Sequence, residues 1–371
     1  MELLNATPLQ AAYTMGTEPS AREHIVVAVK GTFAIPDDGG PAALAAEQAP
    51  LVMADEFWGE PGFSSPRYEV DFALRKPRCD VLLNATAYAP HGQRVERVQV
   101  AVKVGQWFKT FHVVGDRIWE QRGATLPSAP ERFTEKAISY EIAFGGIDDL
   151  DPDEDLHDAY TANPVGRGWY RQRNQWRVPG RPLPNTEAID DPVRAPWGTY
   201  RPVGFGPIGR GWSSRYPLAG TYDQDWLDNT FPFLPADFDE HYYQAAPEDQ
   251  QIDHPRGGEE VQLLNVTPQG RTRFFLPAID VPVVFFRNNE EPLHQQAALD
   301  TIVIEPDLGR ILLTWRASVP LKRNMFEMTQ VLVGNMSRAW WRARELGKTY
   351  YPSIGQMVRA QRAEAEAEEL A

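Results

Sequence analysis

Apolar and polar positions alternate most regularly after Val95, where Val98, Val100, Val102 and Val104 are separated by Gln99, Ala101 and Lys103. A period of two is that of a strand with one face in a core. Gly105-Gln106, a second apolar run from Trp107 to Val114, Gly115-Asp116 and the stretch Arg117 to Glu120 follow directly. Glycine at the first central position of a two-residue loop supplies the positive φ of a type II′ hairpin, so the pattern predicts a three-stranded antiparallel meander. His24 to Ile35 is a β-branched and aromatic run closed by Pro36-Asp37-Asp38-Gly39-Gly40, which predicts a strand and a loop. Tyr68 to Leu74 and Cys79 to Tyr88 predict two more strands, interrupted at Lys76-Pro77 because proline cannot donate to a ladder.

The last third has the same character. Val261 to Val266 and Arg271 to Leu276 flank Thr267-Pro268-Gln269-Gly270 and predict a hairpin, with a strand from Val281 to Phe286 after it. Leu299 to Glu305 and Ile311 to Val319 flank Pro306-Asp307-Leu308-Gly309 and predict another hairpin. A long helix is expected from about Met325 to Leu346, and the Ala/Glu tail from Ala360 to Ala371 reads as a short solvated helix or a disordered end.

Between these ends, from Asp148 to about Gly258, periodicity fades. This segment holds 14 of the 32 prolines and five of the eleven tryptophans (Trp169, Trp176, Trp197, Trp212 and Trp226). Disordered chain is poor in aromatics, so a long irregular segment of this kind reads as ordered and functional. Pro164-Val165-Gly166-Arg167-Gly168-Trp169 and Pro207-Ile208-Gly209-Arg210-Gly211-Trp212 share a pattern, which suggests one local solution used twice, with special glycine dihedrals and Arg stacked on Trp. The fold class predicted is mainly β, with antiparallel sandwich-like or meander sheets, a long loop-rich middle segment and a C-terminal helix. Residues 1–122 form an N-terminal β-rich region, 123–258 the irregular region, 259–321 a C-terminal β-rich region and 322–371 a helical tail. One merged unit and two subdomains are both compatible with this pattern.

Composition narrows the function classes. Acidic residues outnumber basic ones by 51 to 37, a net charge of -14, which argues against a general nucleic-acid or anionic-membrane binder. A single cysteine, Cys79, excludes an intramolecular disulfide framework and a multi-cysteine zinc site. With no secretory signal pattern and no apolar run of membrane-spanning length, the expected location is cytoplasmic.

Catalytic and cofactor signatures are missing. Gly204 to Gly211 is glycine-rich but lacks the Gly-Lys-Ser/Thr ending of a phosphate loop, and Pro207 removes an amide donor. Asp151, Asp153 and Asp155 resemble a calcium loop only until Leu156, where glycine is required. The histidines are scattered, no Gly-x-Ser-x-Gly elbow occurs, and Cys79 sits within an apparent strand as a small core residue would. The expectation is a protein that is not an enzyme and uses no metal or other cofactor.

Two constellations do stand out. One is Gly206 to Trp212 with Ser213, Ser214 and Arg215, and the other is Ala245-Ala246-Pro247-Glu248-Asp249-Gln250-Gln251-Ile252 behind the aromatic stretch Phe238 to Tyr243. Polar side chains with several hydrogen-bonding groups beside aromatics either pin an irregular loop or line a protein interface. Arg and Trp are enriched at binding hot spots. Gly166 to Tyr216 carries nine arginines against Glu187, Asp190 and Asp191, a basic window in an acidic chain. The partner-binding candidates are therefore Arg167, Trp169, Arg210, Trp212, Arg215, Asp249, Gln250 and Gln251.

At these blocks the chain resembles the bacterial domain of unknown function 2169 family, whose members are type VI secretion accessory adaptors or chaperones. The resemblance rests on Trp58 with Arg67 to Phe72; Lys76-Pro77 with Cys79, Asp80 and Val81; Gly115-Asp116-Arg117 with Trp119; Gly206 to Arg210; Ala246-Pro247 with Asp249-Gln250-Gln251; and Gly270 to Pro277. It implies a protein that holds an effector, or its PAAR-containing part, and helps load it onto the VgrG spike. The resemblance carries no catalytic residues. Two alternatives are an enzyme acting on a small molecule or glycan in a Trp-rich cleft, and a self-assembling component of the secretion machine. Arg210→Ala and Trp212→Ala are expected to weaken partner binding, measured by calorimetric titration of the folded variants.

Overall fold

The valines of the strand Arg97–Val104 point inward and its polar residues outward, and this strand pairs antiparallel with Trp107–Val114 across Gly105, which takes φ 57. The computed structural model describes residues 1–288 and 290–369. A five-stranded antiparallel sheet runs in the order Thr186–Glu187, Trp107–Val114, Arg97–Val104, Glu260–Leu264, Arg271–Phe275. The expected hairpin at Thr267 to Gly270 is present within it.

A seven-stranded sheet runs Gln251–Ile252, Cys79–Leu83, Ala298–Glu305, Arg310–Pro320, Glu23–Ala34, Gln10–Thr17, with Ala43–Leu44 also on Glu23–Ala34. Here the hairpin through Pro306 to Gly309 pairs Ala298–Glu305 with Arg310–Pro320, and Cys79–Leu83 joins Ala298–Glu305 in parallel. A four-stranded sheet is ordered Glu2–Asn5, Met328–Val333, Pro282–Arg287, Leu293–Gln296. One apolar core joins the inner faces of all three sheets, through residues such as Val27, Trp315, Val81, Val102, Phe111, Leu263 and Val331. Cys79 is buried in that core, where burial, then the charges of Asp300 and Asp80, push its thiol pKa well up. All three large sheets thus mix strands from both ends of the chain, and the five- and seven-stranded ones each add a short strand from the middle, Thr186–Glu187 and Gln251–Ile252.

Three expectations need correction. The third strand of the meander is Thr186–Glu187 rather than Arg117 to Glu120. A Cβ on Gly115 would sit 1.7 Å from the Glu131 carbonyl oxygen, so the chain leaves the sheet there. Its amides and carbonyls then pair with Arg181 and Leu183 while Trp119 enters a second apolar cluster with Phe144, Val178 and Leu183. Of the Tyr68 to Leu74 run only Tyr68 is in a strand, Pro66–Tyr68, because the Val70 amide donates to Asp55 and the Asp71 amide to the Val52 carbonyl. Within Met325 to Leu346, Met328–Val333 is a strand and the helix spans only Arg338–Glu345, capped by Ser337. Burial of Val331, Leu332 and Val333 between two strands overrides helical propensity there. The tail forms the helix Ile354–Glu369, and Leu370 and Ala371 lie outside the described residues.

The outer face of the seven-stranded sheet is charged yet buried beneath irregular chain. Asp71 accepts from Lys30 at 2.8 Å and from the Val52 amide at 2.7 Å. Asp300 takes a two-pronged contact from Arg316 at 2.9 and 3.2 Å. Asp80 accepts from Lys76 at 2.7 Å, the Gln244 side chain at 2.6 Å and the Ala245 amide at 2.8 Å. Buried charges are tolerated only when paired and hydrogen-bonded in this way. Asp80→Ala strands the Lys76 ammonium and two amide donors, and should cost about 3–5 kcal/mol in urea unfolding. A loss below about 1 kcal/mol would contradict this assignment.

Candidate functional site

The two polar blocks fold against each other. The Ile208 amide donates to the Ala245 carbonyl at 2.9 Å, and Arg215 donates to the carbonyls of Tyr242 at 2.8 Å and Ile208 at 3.0 Å. Arg215 is fully buried and forks onto Glu69, with one arm at 2.8 Å. Its neighbour Arg210 grips Asp55 with two bonds of 2.9 and 3.2 Å and reaches Glu69 at 3.4 Å. Burial opposes the Arg210 charge, but the Asp55 bond and the charges of Glu69 and Asp55 outweigh it and raise its pKa. Both guanidiniums lie over the Tyr242 ring. Trp212 is buried edge-on against Tyr140, with ring centroids 5.2 Å apart.

Gln250 links three parts of the molecule. Its buried amide donates to the Val81 carbonyl at 2.7 Å and the Phe205 carbonyl at 2.8 Å, and accepts from Lys109 at 2.7 Å. Val81 belongs to the seven-stranded sheet and Lys109 to the five-stranded one. Asp249 accepts from Lys109 at 2.9 Å and Arg201 at 3.2 Å, while Trp107 donates to its carbonyl at 2.7 Å. Gln251 donates to the Ala246 carbonyl at 2.8 Å. Trp212, Arg215 and Gln250 thus serve inside the fold, and Arg210, Asp249 and Gln251 stand half-buried at its surface.

The joined blocks divide two surface clefts open to solvent. A cleft of about 740 Å³ is walled by Tyr140, Tyr160, Tyr200, Arg201, Lys109 and Asp249. The other, of about 650 Å³, is walled by Arg78, Arg215, His241, Gln244 and Gln251. Ile208, Ser214, Pro247 and Glu248 line both. Among the described residues, no three His, Cys, Asp or Glu side chains converge as a metal site.

Arg167 and Trp169 are not brought to this junction. Arg167 donates to the Glu141 carbonyl at 2.9 Å, in a short parallel pairing of Arg167–Gly168 with Phe144–Gly145. Trp169 packs against Tyr160, behind the larger cleft, with centroids 5.6 Å apart. The shared hexapeptide therefore has two structures rather than one. Gly168 needs φ 93, whereas Gly209 and Gly211 have no positive φ, and a Cβ on Gly209 would meet the Trp212 ring at 2.4 Å. Arginine stacks on Tyr242 in the second copy, not on Trp212.

Sequence reasoning missed Asp55, Glu69, Lys109, Arg201 and Tyr140. Each lies far along the chain from the block it serves, so no local spacing marks it. Lys109 breaks the alternation of its strand by carrying a charge to the buried face between Trp107 and Phe111, and that is the one sequence signal available.

Burial lowers the Lys109 ammonium to about 8, against the opposing pull of the Asp249 charge and hydrogen bond. In unfolded chain a lysine titrates near ~10.4. Between those values the folded state binds fewer protons, so the Lys109 contribution to stability rises with pH across that window and is flat below about 8. Side-chain NMR should show one lysine with a midpoint near 8 that vanishes in Lys109→Met. A midpoint near ~10.4 for Lys109 would contradict this environment.

No helix among the described residues is long and apolar enough to cross a membrane. Neither a curated protein nor a solved structure matches the chain. A family model described as an uncharacterized protein conserved in bacteria, DUF2169, matches residues 20–316, which takes in the five-stranded sheet and both polar blocks in full and the other two large sheets in part. The chain belongs to that bacterial family.

Proposed function

We propose that this protein is a non-enzymatic, cytoplasmic adaptor or chaperone of type VI secretion, which binds an effector or its PAAR-containing part and delivers it to the VgrG spike. The observation that carries this reading is the convergence of the two resemblance-bearing blocks, Gly206 to Arg215 and Ala245 to Gln251, on one surface junction anchored to both main sheets. A rigid junction between open clefts suits the display of a protein-binding surface, since preorganisation lowers the entropic cost of association. The polar groups there are satisfied by one another, and none is paired as nucleophile and base.

One observation favours an enzyme as second reading: the lowered Lys109 pKa at a cleft wall, because perturbed groups cluster at catalytic sites. Against it, the ammonium directs its donors to Asp249 and Gln250 rather than into the cleft.

The test is co-purification of the full chain with the effector and spike proteins encoded beside its gene. A stable complex with at least one of them is expected, and its absence with all of them would sink the proposal. Trp212→Ala opens a cavity beside Tyr140 and should cost about 3–5 kcal/mol of stability, so its binding loss is to be read beside its unfolding curve.

A further inference from the structure

The basic window that the sequence displays is largely consumed inside the molecule. Of its nine arginines, Arg167, Arg171, Arg173, Arg177, Arg201, Arg210 and Arg215 each contact an acceptor of the same chain. The reverse holds for the stretch that follows. From Tyr216 to Glu240 there is no lysine or arginine, and six acids: Asp223, Asp225, Asp228, Asp237, Asp239 and Glu240. Among the described residues, Asp223, Asp225, Asp228 and Asp237 have no cationic side chain within ion-pair distance.

The same stretch exposes four aromatics and a leucine. Tyr216 is 66% exposed, Phe231 62%, Leu227 52% and Tyr222 51%, and Phe233 is exposed as well. Scattered surface hydrophobes need no explanation, but a contiguous group in one short loop marks an interaction site. The loop is also held in one shape. Thr221 closes its neck with bonds of 3.0 and 2.7 Å to Asp237, and the Asp239 amide donates to the Leu218 carbonyl at 2.9 Å. Within it the short helix Gln224–Asn229 is capped by Asp223, whose side chain accepts from the Trp226 amide at 2.9 Å. Trp226 is the hub, donating to the Phe233 carbonyl at 2.9 Å and meeting Tyr222 and Phe231 edge-on.

We infer that this acidic, aromatic outcrop, residues 216–240, is a docking surface for a protein partner that presents an apolar groove edged with arginine or lysine. The inference rests on the adaptor reading above and gives the partner's chemistry a sign. Uncompensated carboxylates around exposed aromatics favour a basic rim and exclude phosphate-rich ligands. A fixed loop presents its aromatics as anchors at low ordering cost. The chain does carry an apolar face with cations of its own, the cleft of about 470 Å³ on the five-stranded sheet lined by Lys103, Phe108, Leu264, Arg271 and Arg273, but Glu260 in that cleft pairs with both Lys103 and Arg273. The overall charge of -14 opposes pairing of two copies, so a different protein is the occupant.

The experiment is calorimetric titration of the full chain with the purified neighbouring effector and spike proteins. It compares wild type with Leu227→Ser/Phe231→Ser and with Asp225→Asn/Asp228→Asn, and sedimentation is recorded for each. The apolar variant should bind about tenfold or more weakly. The charge variant should bind several-fold more weakly at low salt, with the difference shrinking at high salt. Both should keep the wild-type unfolding midpoint of the sheets, since the altered side chains are exposed and the neck bonds between Thr221 and Asp237 are untouched. Wild-type binding that neither variant alters would overturn the inference and leave the adaptor reading standing. No wild-type binding to any neighbour would overturn both. Concentration-dependent self-association lost in the apolar variant would overturn the basic partner in favour of a second copy.

Discussion

The seven-stranded sheet is buried on both sides although its outer face carries charges, and the need to pair those charges organises this protein. Lys30, Asp80, Asp300 and Arg316 lie on or beside the central strands of the seven-stranded sheet, away from its apolar side. Such groups in a dry environment cost several kcal/mol each unless every one finds a partner. Asp300 and Arg316 pair with each other, and the other partners come from irregular chain: Asp71 for Lys30 from the first third, Lys76 for Asp80 from the first third, and Gln244 and the Ala245 amide for Asp80 from the middle. The long segment without periodicity is therefore fixed, because the sheet beneath it supplies specific hydrogen-bonding positions.

Gln250 extends the same logic from one sheet to the other. Its three hydrogen bonds join Val81, Phe205 and Lys109, so the Ala245 to Gln251 block cannot shift without opening a buried amide. Arg215 and Glu69 do the equivalent for the Gly206 to Arg215 block. Of the eight residues that look like an interface in sequence, three, Trp212, Arg215 and Gln250, are instead the rivets of the loop. What they leave outside is a junction between two clefts and, beyond Arg215, an acidic aromatic outcrop without cations.

The strands were legible where one face meets the core and the other meets water, as in Arg97–Val104, or where turn residues bound an apolar run, as at Gly309. The strand Met328–Val333 was hidden because it is buried between non-local partners, Glu2–Asn5 and Pro282–Arg287, which no local pattern announces. Trp119 misled for the opposite reason: its local pattern is strand-like, but its strand, Trp119–Arg122, pairs with Ala124–Pro127, and its amide donates to the Arg181 carbonyl, so it never joins Trp107–Val114. The residue types at the candidate site were visible, but their sign was not. Nine arginines in a window suggest a basic surface until Asp55, Glu69, Asp158 and Asp249 are placed beside them.

Buried polar bonds hold the irregular middle as firmly as the sheets, and native-state hydrogen exchange on the full chain distinguishes this from a loosely held loop. The amides of Ile208, Ala245 and Gln250, bonded to the Ala245 carbonyl, the Asp80 carboxylate and the Pro247 carbonyl, should exchange only with opening energies close to those of Val100 and Leu313 in the sheets. Exchange of those three amides at the rate of free loops, with the sheet amides still protected, would contradict it.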